Sequence, residues 1–297
     1  MLEVHDVTRT ETVTIACKYC GSTNVVKYGM HGSVQYYWCK DCRRKFAGNQ
    51  ALPHMHFPPD QIATALQSFY EGLSLNAIRR QLDQLYGKLP SDSTVYEWIV
   101  RFTKAAQWEA NHACVHASKV WAVDETVLEI DGKNAWFWDV IDDETRFLLA
   151  SHLSVSRTME DAVAVLVRAQ KVAMLPPRFI VSDGLAAYPD AVDRVFGADT
   201  VHIRSRGIRD EINNNLIERF HGTIKQRTKV MRGMQNIETA KLVMGGWLVN
   251  YNFFRPHEAL HGKTPGEMAK VQFPFTNWAA VVHRGYHRQE IRTGGKP

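Results

Sequence analysis

Apolar positions change period along the chain, and the changes mark its elements. From residue 60 to 106 the period is helical: Ile62, Leu66 and Phe69 recur at spacings of 4 and 3 until Gly72 interrupts them. Ser74 can cap a second helix, whose stripe is Leu75, Ile78, Leu82 and Leu85. After the loop GKLPSDS, Thr94 and Glu97 form a T-x-x-E capping box for a third helix, with Val95, Trp98, Ile99 and Phe102 as its buried stripe. Tyr96, Arg101 and Lys104 project from the opposite side. Three helices in this order fit a helix-turn-helix module, and equally a plain three-helix connector.

From Lys119 the period becomes 2. The segments KVWAVDETVLEI, NAWFWDVID and RFLLASHLS predict three antiparallel strands joined by Asp-Gly and Asp-Asp-Glu-Thr turns. A helix (TMEDAVAVLVRAQKVA), a buried strand (RFIVSD), a helix around LAAYPDAVDRVF and a strand (TVHIR) follow. A long helix then begins near the Asn213-Asn214-Asn215 cap. The fold class this predicts is α/β, a mixed sheet flanked by helices. The stretch beyond Phe275 is basic and weakly patterned.

Composition narrows the class. With 45% hydrophobic and 23% charged residues, the 297-residue chain has the profile of a soluble globular protein of two or three domains. Disorder and collagen-like repeats are excluded, and no apolar run is long enough to span a membrane. The N-terminal residues lack the basic and apolar regions of a secretory signal, so a reducing compartment is expected. Net charge is +5 but unevenly spread. Residues 116–203 carry 8 Lys and Arg against 14 Asp and Glu, whereas residues 204–297 carry 16 against 7. An acidic centre beside a basic C-terminal third suggests a carboxylate-rich site next to a polyanion-binding surface.

Four of the five cysteines fall as Cys17-x2-Cys20 and Cys39-x2-Cys42, with a strand-turn-strand pattern between the pairs. Soft thiolates at this spacing suit one tetrahedral Zn²⁺, as in a zinc ribbon, and no βαβ pattern supports a redox role. Cys114 stands alone and is expected to be a buried structural thiol. Three acids have the placement that chemistry needs. Asp124 lies within the first strand of the meander, Asp183 ends the buried strand before Gly184, and Glu218 sits on the long helix. One acid mid-strand, one at a strand end and one on a following helix can converge on divalent metal. Glu125 is the nearest decoy, set aside because successive strand side chains face opposite ways.

These residues carry a resemblance. VDET with Asp124, SDG with Asp183, NNLIERFHGTIKQR with Glu218 and YNFFRPHEALHGKTPGEMA from Tyr251 resemble the DDE transposases of prokaryotic insertion sequences, RNase H-like polynucleotidyl transferases. The resemblance implies an RNase H-like sheet over residues 116–272, preceded by a zinc ribbon (1–50) and a helix-turn-helix domain (56–112) and followed by a basic tail (273–297). It implies a catalytic triad of Asp124, Asp183 and Glu218 holding two Mg²⁺ ions, with Asp124 bridging both. Tyr96, Arg101, Lys104, Arg219 and Lys225 are the implied DNA contacts, while Asn214 and Asn215 either cap the helix or touch DNA. Arg157 either pins the wall of the site or caps a helix, and His202 is expected to be a packed strand histidine. Arg255, Pro256 and His257 are expected to hold the catalytic helix in place, with a DNA contact also open to Arg255. The implied activity is binding of terminal inverted repeats, with Mg²⁺-dependent cleavage and strand transfer in a cytoplasmic, nucleoid-associated enzyme. The alternatives are a non-catalytic DNA-binding regulator and an RNase H-like nuclease without strand transfer. Double-stranded DNA and at least a homodimer are the implied partners, with Trp247–Phe254 either an interface or a core helix.

Overall fold

A computed structural model describes residues 14–49, 51–205, 215–231 and 234–284. It falls into two compact units, residues 1–61 and 62–297. Asn213 and Asn214 lie outside the described residues.

The first unit is built on three antiparallel strands, β1 (Val25–His31), β2 (Val34–Cys39) and β3 (Lys45–Ala47), in that order. Among the described residues, the core cluster under this sheet is Cys17, Cys39 and Phe46, with Ile15, Tyr19, Val25, Tyr37 and Cys42 packed against them. So little apolar burial does not hold so small a unit together without a further cross-link.

The second unit opens within α1 (Pro59–Tyr70), followed by α2 (Leu75–Tyr86) and α3 (Asp92–Ala110). The Ser74 side chain caps α2 by accepting from the Ala77 N–H, and Ile78 and Leu82 are buried. Leu85 is exposed, so the stripe ends one turn early. The third helix starts before the expected T-x-x-E box. Ser91, in extended backbone, accepts from the Thr94 N–H, and Asp92 lies in the first turn, where its charge suits the helix dipole. Val95, Trp98, Ile99 and Phe102 are buried as their spacing predicts.

The sheet runs β6-β5-β4-β7-β8. Strands β4 (Val120–Ile130), β5 (Lys133–Asp142) and β6 (Leu148–Ser154) form the antiparallel meander. Strands β7 (Phe179–Ser182) and β8 (Val201–Arg204) join it in parallel. The β4–β5 hairpin turns on Asp131 and Gly132, both at positive φ, as a two-residue Asp-Gly turn requires. Helices α4 (Met159–Val172) and α5 (Ala187–Phe196) cover one face, while α6 (Asn215–Val230) lies against β4 and β5.

Helix α7 (Ile237–Val249) packs against α3 and continues into a π-helical turn, Asn250–Phe254. A Cβ at Gly246 would run into the Tyr70 hydroxyl and Thr103, so glycine permits the close approach of α7 to α1 and α3. Residues 247–254 are core and not an interface: Trp247, Val249, Tyr251 and Phe253 are buried, and the Asn252 amide donates to the Leu148 carbonyl. The structure also corrects two expectations outside the sheet. Phe275, Trp278, Val281 and Val282 are buried, and Trp278 stacks on Tyr70 at 4.6 Å, so the last stretch begins as packed helix and not as tail. Their spacing is itself a helical stripe. Cys114 is exposed, because it sits in the loop between α3 and β4 and not inside an element.

Candidate active site

The parallel pairing of β7 on β4 sets the site. Val120 lies beside Phe179 and Ala122 beside Val181; two further places along lie Asp124 and Asp183. Asp183 thus leaves the sheet at the carboxyl end of β7, next to Asp124. Its carboxylate accepts from the Leu185 N–H at 3.1 Å. Gly184 follows at φ 106°, and a Cβ there would collide with the Arg204 side chain. Glycine therefore provides both the turn and the space.

Asp124, Glu125 and Asp183 each offer an oxygen within 4.8 Å of the others. Alternation still holds, since Asp124 is cross-strand from Asp139 and Glu125 from Trp138. Glu125 nonetheless reaches the group, which corrects the expectation that it points away. Opposite faces meet at a strand's edge, and carboxylates there can approach from both sides. The two oxygens of Glu125 are engaged elsewhere, however. Arg157 donates to one through Nε at 2.9 Å and through its terminal nitrogen, and the Tyr188 hydroxyl donates to the other at 2.5 Å. Burial, reinforced by Glu125, holds the Tyr188 phenol well above its usual range, so it remains a neutral donor. Arg157 also lies over the Trp136 ring, 4.4 Å from its centroid. Of the two roles open to Arg157, it pins the wall of the site.

On the opposite face the sheet meets α6 through a histidine that sequence reading passed over. His221 is buried, with Nδ1 3.5 Å from an Asp124 oxygen and Nε2 3.0 Å from an Asp139 oxygen. Asp139 is fully buried and accepts from the Ser151 hydroxyl at 2.5 Å. Burial works against a charged ring, but hydrogen bonds to Asp124 and Asp139 outweigh it and raise the His221 pKa to about 9. Burial pushes the Asp139 carboxyl upward, opposed by His221. The signal for Asp139 was present in NAWFWDVID, as an acid inside an apolar strand.

Glu218 lies in the first turn of α6, exposed, one turn before His221. Residues three apart on a helix share a face, so Glu218 lies on the side of α6 that His221 turns toward Asp124. It is not among the acids grouped within 4.8 Å. Arg219 and Lys225 are exposed on the same helix. His202 is a packed strand histidine, as expected, its Nε2 2.8 Å from the Ser182 hydroxyl. His257 rests edge-on against Tyr251, which in turn meets Phe220 of α6.

Residues 118–257 match the model of a family described as a DDE domain. The chain carries a DDE domain, of the kind found in DDE transposases. Its enzymatic class is accordingly DDE-type polynucleotidyl transferase. No match was found among curated proteins. Among solved structures, this chain is similar to the HTLV-2 integrase catalytic core domain in complex with magnesium (trimeric form). The identity is 15%, the TM-score 0.41, and the match covers 52% of this chain and 99% of that one. The BIV integrase catalytic core gives 16% identity and a TM-score of 0.39, covering 52% and 95%. A simian T-cell lymphotropic virus intasome in complex with a PP2A regulatory subunit gives 14% and 0.39, covering 70% and 74%. These likenesses are too distant to bear on the chemistry.

In the first unit, the cysteine pairs close into a second group. The Cys17 and Cys42 sulfurs are 3.5 Å apart, those of Cys20 and Cys39 are 3.6 Å apart, and all four fall within 4.8 Å. A tetrahedral zinc–thiolate centre with bonds of about 2.3 Å has sulfur–sulfur edges of about 3.8 Å. The cluster fits a zinc ribbon. Hydrogen bonds from the backbone N–H groups of Cys42 and Asp41 outweigh desolvation and lower the Cys39 thiol to about 7. Desolvation and the other three thiols push Cys42 up to about 12. A soft divalent cation relieves that mutual opposition.

Among the described residues, no helix is long and apolar enough to cross a membrane.

Proposed function

We propose that this chain binds the terminal inverted repeats of an insertion sequence and catalyses Mg²⁺-dependent strand cleavage and strand transfer, with Asp124, Asp183 and Glu218 as the catalytic acids. The observation that carries the reading is the meeting of Asp124, within β4, and Asp183, at the carboxyl end of the adjacent parallel strand β7, with α6 held over Asp124 by His221. The donor set fits magnesium: carboxylate oxygens are hard ligands, and no thiolate lies in the group. Bound there, two ions would supply an activated water or 3′-hydroxyl and stabilise the leaving oxygen.

The chain's own residues do the rest. Asp124 would serve both ions, Asp183 one and Glu218 the other. His221, held by Asp139, keeps the Asp124 carboxylate in a single orientation. Glu125, fixed by Arg157 and Tyr188, braces the wall and takes no part as a ligand. Arg219 and Lys225, on the exposed side of the catalytic helix, neutralise phosphate. Helix α3, with Tyr96 and Lys104 exposed and Arg101 half-buried over the Phe102 ring, enters a major groove as the recognition element of a helix-turn-helix. Tyr96 also lies 3.3 Å from the Thr239 hydroxyl of α7, a contact that would hold the recognition helix to the catalytic unit. The four cysteines hold one structural Zn²⁺.

Incubating the protein with Mg²⁺ and duplex DNA bearing the element's ends tests the reading. Joined products are expected. Cutting without joining would leave a nuclease, and binding without cutting would leave a regulator.

A further inference from the structure

The ribbon sheet has two faces of different character. Tyr37 and Phe46 stack on the inner face, beside the cysteine cluster. Register places Val26, Trp38 and Lys45 together on the outer face, with Tyr28 and Tyr36 two residues along their strands. That face is open to solvent: Tyr28 is 59% exposed and Val26 39%. The rings are already ordered. Tyr28 stacks on Trp38 at 6.1 Å and 27°, and the Lys45 ammonium lies 4.8 Å from the Tyr28 centroid and 5.0 Å from that of Tyr36. An exposed aromatic cluster around an ammonium is an interaction surface, because burying those rings elsewhere would cost less than leaving them in water.

Charge identifies the occupant. Residues 14–49 carry six cations (Lys18, Lys27, Lys40, Arg43, Arg44 and Lys45) and one acid, Asp41. That acid is engaged by the Ser22 hydroxyl and the Asn24 amide. A polyanion with flat apolar groups matches both features. Bases within a duplex are already stacked on their neighbours, so flat rings can stack only on unpaired ones. We propose that this face, centred on Tyr28, Tyr36, Trp38 and Lys45, is a stacking platform for single-stranded DNA. The proposal rests on the reading of the chain as an enzyme acting on DNA ends, where cutting and joining expose unpaired bases. The platform would hold the strand by its base faces, tolerant of sequence, while neighbouring cations follow its phosphates.

The test uses the full chain and a labelled oligo-dT strand, with fluorescence anisotropy as readout. The wild type is expected to bind the strand in preference to a duplex without element ends. Tyr28→Ala and Tyr36→Ala should each weaken binding about tenfold with zinc content unchanged, and Tyr28→Phe should restore it. Because an alanine variant can misfold, photocross-linking of a bromodeoxyuridine strand to the wild type provides a second readout, with cross-links expected on the peptides carrying Tyr28, Tyr36 or Trp38. Cross-links elsewhere, or equal affinity in wild type and both alanine variants, would overturn the proposal. So would concentration-dependent self-association that Tyr28→Ala abolishes without changing strand binding, which would make the face an interface between copies. Cleavage of end-bearing duplex by the wild type, measured in parallel, reads the proposed function separately. Strand binding on this face without any cleavage supports the platform while removing that function.

Discussion

At His221, burial and hydrogen bonding oppose each other, and the two acids prevail. Its folded pKa, about 9, lies above the ordinary 6.5, so its contribution to stability is complete below pH 6.5 and is lost as pH rises through 9. The amount is on the order of 1–3 kcal/mol. Urea unfolding of the metal-free protein at pH 6 and pH 9 should show that loss, and His221→Gln should show a flatter profile. Equal pH dependence in the two proteins would remove the ion pairing with Asp124 and Asp139. Glu125→Gln gives a second residue-level expectation. It leaves Arg157 facing a neutral amide, and because Arg157 can reach water the cost should be modest, about 1–2 kcal/mol in the same assay. No change in stability would mean that the Arg157 and Tyr188 contacts do not support the wall. Asp124 and Asp183 were legible because an acid inside or ending an apolar strand is costly without a purpose. The same signal marked Asp139, but its partner His221 depends on how α6 docks on the sheet, which no spacing encodes. Glu125 shows the limit of alternation, which gives a side chain's face but not its distance from a neighbour at a strand edge.

Among the elements, those with strong periodicity were the most legible. The β4–β5–β6 meander, α4 and α5 lie where apolar alternation and helical stripes place them, within a few residues at their ends. The start of α3 was misplaced because two capping patterns overlap there, and Ser91, with its extended backbone, takes the role ahead of Thr94. The packed helix at 278–284 was missed because its apolar spacing, Trp278, Val281 and Val282, spans barely one turn. The ribbon is the element with the least core, so metal affinity there is folding free energy. Cys39→Ser, or removal of zinc with a chelator, should unfold residues 15–48 and weaken end binding at least tenfold while the 62–297 unit stays folded. Zinc content by mass spectrometry and amide exchange report the two parts separately. A metal-free protein that binds ends normally would contradict the assignment.

At the scale of the whole molecule, the proposed function requires two ends of one element to be joined in a coordinated way, and a two-fold assembly is the commonest way to pair two DNA sites. The aromatic segment 247–254 is spent on the core, so a dimer would use another surface. Light scattering with paired end-bearing duplexes should report at least two copies of the chain; a persistent monomer would contradict this.

The central claim is that Asp124, Asp183 and Glu218 act as one metal-holding unit. It is tested most directly by the yield of joined DNA product in Mg²⁺ for Asp124→Asn, Asp183→Asn, Glu218→Gln and the corresponding double variants. Each substitution keeps size and shape but removes one negative charge from a site that must hold two divalent cations. Every single variant should lose joining by at least about a thousandfold while retaining end binding, and the doubles should be little worse, as for residues that act together. Glu218 is decisive, since it stands apart from the two aspartates in the structure. If Glu218→Gln joined DNA at a rate near the wild type's while the aspartate variants were inactive, α6 would not supply the third ligand and the account would fail.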